Sequence, residues 1–294
     1  MTDSARDRFE RAADELRPKL YRYCARMTGS VVDGEDVVQD TLMKALVALP
    51  NAGVIDNIES YLFRIAHNTV LDFLRRRARE PVMQNEEALE MFPAPDSTHR
   101  DQEAAATSLR TFMRLPALQR SSVILKDVLV HSLEEIASIT GASHAAVKSA
   151  LQRGRARLRE LASEPADVSQ PMLSHAMRAR LNKYVHGFQD GDFDTVRTML
   201  ADDVKLDLVA KLRKHGKAEV REYYAAYAAA KQWAFAAALV DGRPAMLVYD
   251  REISLERPAY FVSLEFDGDR VASIHDFLYA RYALEGIDVC LLPS

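Results

Sequence analysis

Residues 132–161 have the sequence SLEEIASITGASHAAVKSALQRGRARLREL, which predicts two helices around a glycine turn. Glu134 and Glu135 lie in the first turn of the first helix, where the positive end of the helix dipole favours acidic side chains. Gly141 supplies the turn, and Ser143 is well placed as the N-cap of the second helix. The stretch therefore predicts a helix-turn-helix.

The second helix of this motif separates apolar residues from cations. An inward stripe is predicted at positions i, i+4, i+7 and i+11, which are Val147, Leu151, Gly154 and Leu158. The other faces carry Lys148, Arg153, Arg155, Arg157 and Arg159. A solvated basic helix without a partner would have the same composition. The short first helix, the turn and the cap together favour DNA binding, with the second helix in the major groove.

Charge is unevenly distributed along the chain, whose overall net charge is −4. Residues 1–80 have a net charge of 0, residues 81–108 of −5, residues 109–163 of +5 and residues 164–294 of −4. The basic surplus therefore coincides with the helix-turn-helix, as a nucleic-acid-binding module requires.

Length and composition set further limits. The 294 residues are enough for two or three domains, and no window is apolar enough to span a membrane. The charged N-terminus does not resemble a signal peptide. Cys24 and Cys290 stand far apart, without clustered histidines. We expect a cytoplasmic chain in a reducing compartment, with no structural metal and no cofactor.

Two stretches poor in large apolar residues divide the chain. Residues 81–108 combine six acidic residues with three prolines, which predicts a flexible tether, and residues 164–171 form a shorter linker. Residues 6–80 keep a helical spacing of apolar residues, interrupted at Pro18 and stopped at Pro50. The predicted domains are residues 6–80, 109–163 and 172–294.

The last domain has a different pattern. Helices are predicted at residues 178–188, 193–200 and 217–230, and strands at 235–240, 245–249, 260–266 and 271–278. Residues 267–269, with the sequence DGD, predict a hairpin between the last two strands. Since helices and antiparallel strands are combined, this domain is predicted to be α+β, following two all-α modules.

Two further motifs lie in the first domain. Residues 33–46 (DGEDVVQDTLMKAL) resemble the helix of bacterial sigma factors that docks on the RNA polymerase clamp. Residues 61–77 (YLFRIAHNTVLDFLRRR) resemble the helix that meets the −10 promoter element, and the helix-turn-helix resembles the domain that meets the −35 element. The order of these motifs and the acidic tether are similar to those of extracytoplasmic-function (ECF) sigma factors.

The resemblance implies specific contacts. Polymerase docking falls on Glu35, Asp36, Gln39 and Asp40, and −10 binding on Arg64, Asn68, Asp72, Arg75 and Arg76. Contacts to the −35 element fall on Ser143, His144, Lys148, Arg153 and Arg155. A solvated face would explain the acidic group if it stood alone, and capping or a local ion pair would explain Asn68 and Asp72. The implied partners are promoter DNA and the clamp and flap regions of the polymerase core.

The last domain resembles the SnoaL-like cone in residues 191–204 and in the late hairpin. A ligand pocket is predicted at Tyr184, Trp233, Tyr249 and His275, although aromatic residues at such spacings also fit an ordinary core. Strand alternation places His275 on one face and Asp276, with Ile274, on the other. No spacing requires catalysis, so no catalytic residue is predicted.

The sequence thus predicts a non-enzymatic alternative sigma factor, modulated by its C-terminal domain and by a ligand or regulatory protein bound there. Two alternatives remain open at this point. One is a ligand-responsive regulator that binds DNA without polymerase. The other is an enzyme of the cyclase or isomerase type with a DNA-binding appendage.

Overall fold

The computed structural model describes residues 3–53, 55–79, 90–93, 109–163 and 169–293, and the chain divides into two compact units. The helical unit comprises Met1–Met83 and Arg100–Ala166, and the sheet unit comprises Gln84–His99 and Asp167–Ser294. The two predicted all-α modules therefore pack together within one unit. No helix in the described part of the chain is long and apolar enough to cross a lipid bilayer.

The first half of the helical unit contains three long helices, α1 (Asp3–Thr28), α2 (Val31–Ala48) and α3 (Ile58–Arg79), with a 3-10 turn at Leu49–Asn51. The Ser30 side chain caps α2 by accepting a hydrogen bond from the backbone N–H of Asp33. The predicted interruption at Pro18 was wrong, because α1 is continuous through this residue. A proline inside a helix removes one backbone hydrogen bond, and the packing of α1 on α2 and α3 offsets that loss.

The second half contains α4 (Leu109–Met113), α5 (Ala117–Val123), a π-helical turn at Ile124–Val128, α6 (Leu133–Thr140) and α7 (His144–Ser163). Ser132 and Glu135 form a reciprocal capping box at the start of α6. Gly141 ends α6 with φ of +70°, and Ser143 accepts a hydrogen bond from the N–H of Ala146. The predicted helix-turn-helix is therefore confirmed, with the predicted turn and N-cap.

The sheet unit combines three helices with a seven-stranded sheet. The helices are α8 (His175–Asp190), α9 (Phe193–Thr198) and α10 (Lys217–Ala229), and a 3-10 turn spans Arg281–Leu284. The strands are β3 (Leu200–Leu208), β4 (Leu212–His215), β5 (Trp233–Val240), β6 (Arg243–Asp250), β7 (Tyr260–Asp267), β8 (Arg270–Asp276) and β9 (Val289–Leu291). Their order across the sheet is β4-β3-β8-β7-β6-β5-β9.

All neighbouring strands of this sheet are antiparallel except β3 and β8, which run parallel. Side chains from the three helices and from alternate strand positions form one core. The α+β prediction and the β7–β8 hairpin are thus confirmed. The short edge strands β4 and β9 were not predicted, because three or four residues carry too little alternation to be recognised.

Most of the predicted tether and of the shorter linker lies outside the described residues. The part that is described forms two short strands. Strands β1 (Glu90–Pro93) and β2 (Ser169–Met172) pair in antiparallel fashion, with Glu90 opposite Met172.

Candidate polymerase and nucleic-acid interface

The predicted docking residues on α2 do not share one exposed face. Asp40 is exposed, and Asp36 and Gln39 are half-buried. Glu35 is buried, at 3% exposure, and its carboxylate forms an ion pair with Arg17 of α1. Glu35 is therefore wrong as a surface docking residue. It lies on the inward side of α2, where Arg17 compensates the charge that the interior would otherwise disfavour.

The exposed stripe of α2 instead continues into apolar residues. Met43 is 58% exposed and Val47 is 74% exposed, and with Asp36 and Asp40 they follow helical spacing along one face. Large exposed apolar side chains next to charged ones are typical of protein-binding surfaces. Met43 and Val47 were not predicted to belong to the docking surface. Their helical spacing from Asp36 and Asp40 is the sequence feature that could have predicted their place on this face.

The five residues predicted to contact the −10 element are exposed and follow one another along α3. The stripe comprises Arg64, Asn68, Asp72, Arg75 and Arg76. Asp72 forms an ion pair with Arg75 at 2.9 Å, so the local pairing considered from sequence is present. The remaining cation and amide groups form a surface suited to DNA phosphates and unpaired bases.

The opposite side of α3 is fixed by buried polar contacts. His67 is 4% exposed, and its Nδ1 lies 2.7 Å from the hydroxyl oxygen of Tyr23. Burial lowers the pKa of His67 to about 4, so the ring is neutral near pH 7. This neutral contact orients α3 on α1, which sets the direction in which the DNA-facing stripe points.

The predicted −35 residues have different environments on the helix-turn-helix. Ser143 is the N-cap, and the His144 ring nitrogen Nε2 lies 3.4 Å from the Glu134 carboxylate. Lys148 is exposed. The guanidinium of Arg153 donates to the Ser149 hydroxyl, and that of Arg155 donates through Nε and Nη2 to the Asp127 carboxylate.

Two further residues of α7 are exposed: Arg159, which was predicted on the cation-bearing faces, and Gln152, which was not predicted. Among the described residues, neither has a side-chain hydrogen bond or an ion pair, and the same holds for Lys148. Gln152 follows Lys148 at i+4, and Arg159 follows Arg155 at i+4, so the four lie along one face. The i+4 spacing of Gln152 from Lys148 is visible in the sequence, but Gln152 is uncharged and was not among the predicted contacts.

Within the helical unit, α3 and α6 are in direct contact. Arg64 donates a hydrogen bond to the Ser138 hydroxyl at 2.9 Å. The ring of His131, just before α6, packs edge-to-face on Phe63 with ring centroids 5.0 Å apart, and its Nε2 lies 3.9 Å from Glu59. One residue of the predicted −10 surface is thus already engaged by the helix-turn-helix.

A second contact joins the two halves of the helical unit. Arg120 of α5 is buried and donates to the backbone oxygen of Met27 at the end of α1, and also to the backbone oxygen of Leu115. Gly29 faces the Met113 side chain. A Cβ atom at position 29 would lie only 2.4 Å from Cγ of Met113. The two modules therefore share a packed interface.

The four predicted pocket residues lie on two faces of the sheet, so they do not line one pocket. Tyr184 and Trp233 belong to the core between helices and sheet. Tyr249 and His275 follow core residues Val248 and Ile274 by one position, and the pleat turns them to the opposite face. The alternation of side chains along a strand correctly predicted that adjacent residues face opposite sides of the sheet. It could not predict which face of each strand packs against the core.

The polar centre of the sheet unit is Asp276, which is fully buried. The Tyr227 hydroxyl donates to its Oδ2 at 2.7 Å, and the backbone N–H of Leu278 donates to its Oδ1 at 2.8 Å. Tyr227 also shares a hydrogen bond with the Tyr260 hydroxyl. Burial raises the pKa of Asp276 to about 6 despite these donors. Asp276 was predicted to share a strand face with Ile274, and the structure shows that this face is buried.

Comparison with known families supports the assignment of the helical unit. The Sigma-70 region 2 family model matches residues 12–80, and the Sigma-70, region 4 model matches residues 109–158. These segments contain the α2–α3 surfaces and the helix-turn-helix described above.

Similar proteins extend the comparison. The ECF RNA polymerase sigma factor SigM of Mycobacterium tuberculosis is 33% identical over 161 residues, which cover 53% of this chain and 79% of SigM. The ECF RNA polymerase sigma factor SigG of the same species is 26% identical over 306 residues, covering 94% of this chain and 82% of SigG. The crystal structure of M. tuberculosis SigJ aligns with a TM-score of 0.36 at 19% identity, covering 89% of this chain and 93% of SigJ. The chain belongs to the family of ECF RNA polymerase sigma factors.

Proposed function

We propose that the chain acts as an alternative sigma factor through three surfaces of its helical unit, and that the sheet unit modulates this activity. The observation that carries the proposal is the pair of exposed polar stripes on α3 and α7, in two segments that match sigma regions 2 and 4. We assign no reaction of its own to the chain.

Docking on the polymerase clamp is assigned to the exposed stripe of α2. Asp36, Gln39 and Asp40 provide carboxylate and amide groups for a basic partner surface, and Met43 and Val47 extend the stripe with apolar area. Charged groups steer the encounter, while burial of the apolar side chains contributes affinity. The helix-turn-helix module is assigned a second contact, to the flap region.

Contact with the −10 element is assigned to the α3 stripe. Arg75 and Arg76 lie at the C-terminal end of the stripe and would hold phosphates, while Asn68 is placed to contact a base of the melted strand. The −35 element is assigned to α7, which enters the major groove of duplex DNA in this type of motif.

Promoter binding by both surfaces requires the helical unit to open. The −10 and −35 elements are centred about 25 base pairs apart, or roughly 85 Å of duplex at about 3.4 Å per base pair. Arg64 touches Ser138, and Ser138 precedes His144 by six residues, a chain span of at most about 22 Å. The packed arrangement of α3 on α6 therefore cannot contact both elements at once. We assign it to the inactive factor.

The sheet unit is assigned the regulatory role. Residues 164–294 have a net charge of −4, opposite to the +5 of residues 109–163, so electrostatic attraction favours the sheet unit as a restraint on the DNA-binding module. A small ligand or regulatory protein bound to the sheet unit would change this restraint.

The test is promoter-specific transcription with purified polymerase core, comparing the full chain with residues 1–163. We expect the full chain to bind core and initiate at specific promoters, and the shorter chain to be more active if the sheet unit restrains it. Charge-neutralising substitutions on the sheet unit should then raise full-chain activity. Failure of the full chain to bind core, with circular dichroism confirming that it is folded, would contradict the sigma assignment.

A further inference from the structure

Some polar side chains on the exposed face of α7 have intramolecular partners, and others have none among the described residues. Arg155 is bound by the Asp127 carboxylate through two guanidinium nitrogens, at 2.9 and 2.5 Å, and Arg153 is bound by Ser149. His144 is turned toward Glu134. Lys148 and Gln152 are exposed and have no side-chain partner among the described residues. These two side chains can therefore bind a base without first breaking an intramolecular contact.

The positions of Lys148 and Gln152 fit the region of a recognition helix that meets base edges. In a helix-turn-helix, the N-terminal residues of the second helix contact bases, and α7 begins at His144. The segment from His144 to Gln152 rises about 12 Å, comparable to the width of the major groove. Lys148 and Gln152 differ by about 40° around the helix axis, while the buried Val147 and Gly154 lie on the opposite side.

From this placement we infer that Lys148 and Gln152 determine the base preference of the chain at the −35 element, with Lys148 bound to a guanine and Gln152 to an adenine. The inference rests on the proposed function. In the major groove a lysine ammonium donates to guanine O6 and N7. A glutamine amide donates to adenine N7 and accepts from its N6 amino group.

The two bases lie close together in the duplex. Four helical residues separate the side chains by about 6 Å along α7, and base pairs are stacked about 3.4 Å apart, so the two contacts fall within about two base pairs. Arg159 lies further along the helix and contacts a phosphate beyond this step. The base-specific contacts are therefore limited to a short segment of the −35 element that contains a G·C pair and an A·T pair.

The experiment uses polymerase core, the full chain and a promoter that the wild-type chain transcribes, with its −35 element randomised and the products counted by sequencing. Lys148→Ala is expected to reduce the preference for guanine at one position by about tenfold, and Gln152→Ala to do the same for adenine at a neighbouring position. Gln152→Glu is expected to replace adenine by cytosine there, because a carboxylate accepts from the cytosine amino group.

Arg159→Ala is the matched control, since it removes an exposed cation that also lacks a described partner. It is expected to weaken binding about equally for every library member and to lower the salt dependence by about one phosphate contact. The inference is overturned if Lys148→Ala and Gln152→Ala leave the ranking of bases unchanged, or if they act uniformly as Arg159→Ala does. A wild-type chain that initiates at no promoter would instead overturn the proposed function.

Discussion

The carboxyl group of Asp276 is fully buried, and its protonation makes the stability of the sheet unit depend on pH. Burial raises its pKa to about 6 from an ordinary value of 3.8, so the folded state retains a proton that the unfolded chain releases. The free energy of unfolding therefore falls as pH rises from about 4 to about 6 and stays lower above that range, by roughly 3 kcal/mol.

We predict that Asp276→Asn removes this pH dependence. The amide keeps an acceptor for the Leu278 N–H and cannot ionise, so unfolding of the variant should be nearly insensitive to pH between 4 and 6. Trp233 is the single tryptophan of the chain and packs against Tyr260 in the same unit, so its emission follows unfolding of the sheet unit in urea. Asp190→Asn, at an exposed position, is the control and should keep the wild-type slope. A variant with the same pH dependence as wild type would contradict the prediction.

The burial of Glu35 could not be predicted from its position in the sequence. Its place in an acidic run beside Asp33 and Asp36 suggested an exposed surface, but the ion pair with Arg17 depends on how α1 packs on α2. Eighteen residues separate the two partners, and no local pattern connects them. For Asn68, Arg75 and Arg76, by contrast, exposure followed directly from the apolar stripe on the other side of α3.

Helices α5 and α7 pack closely against each other at Gly154. A Cβ at this position would lie 2.7 Å from Cγ2 of Val123 and 3.2 Å from the backbone oxygen of Gln119. Gly154 was predicted to lie in the inward stripe of α7, and the close packing explains why a residue without a side chain occupies this position.

We predict that Gly154→Ala destabilises the helix-turn-helix by about 1–3 kcal/mol, because the backbone of α5 must move to admit a methyl group. Thermal melts followed by circular dichroism at 222 nm would show a lower midpoint for the helical unit. Gly141→Ala is an unsuitable control because Gly141 has positive φ. Ala145→Gly, on the exposed face of α7, tests helix propensity alone and should cost about 1 kcal/mol. An unchanged midpoint for Gly154→Ala would show that α5 adapts without cost.

Helices and strands were predictable to the extent that a long segment repeats its apolar residues. α7, α10 and the β7–β8 hairpin have such repeats or a turn signal, and they form where expected. The π-helical turn at Ile124–Val128 and the edge strand β9 have neither. They depend on contacts with distant parts of the chain, as does the sharing of one core face by Tyr184 and Trp233.

In the helical unit as a whole, the packed arrangement that we assign to the inactive factor depends on contacts between α3 and the segment before α6, and His131 is at their centre. Its ring packs on Phe63 and lies near the carboxylates of Glu59 and Glu135, at 3.9 and 3.7 Å. Lys19 is bound to Glu59 at 3.0 Å, and Lys126 donates to the His131 backbone oxygen. Burial lowers the pKa of His131, so the ring is neutral in the closed unit near pH 7.

We predict that His131→Asp opens the helical unit, because a third carboxylate would be buried beside Glu59 and Glu135. An uncompensated buried charge costs about 3 kcal/mol, which lowers the population ratio of closed to open forms by roughly 100-fold. Small-angle scattering should show a larger radius of gyration at unchanged helix content. His131→Asn, which is neutral, is the control and should open the unit less. An unchanged radius for His131→Asp would show that the α3–α6 contact does not hold the unit closed.

The two cysteines have a consequence for the signals this factor can receive. Cys24 is fully buried in the helical unit and Cys290 is half-buried on β9, and burial raises the pKa of both thiols. The thiolate is the form that peroxides oxidise, and it is scarce when the thiol pKa is high. Direct oxidation of Cys24 and Cys290 by peroxide is therefore disfavoured, so these two thiols are poorly suited to act as a switch for oxidative stress.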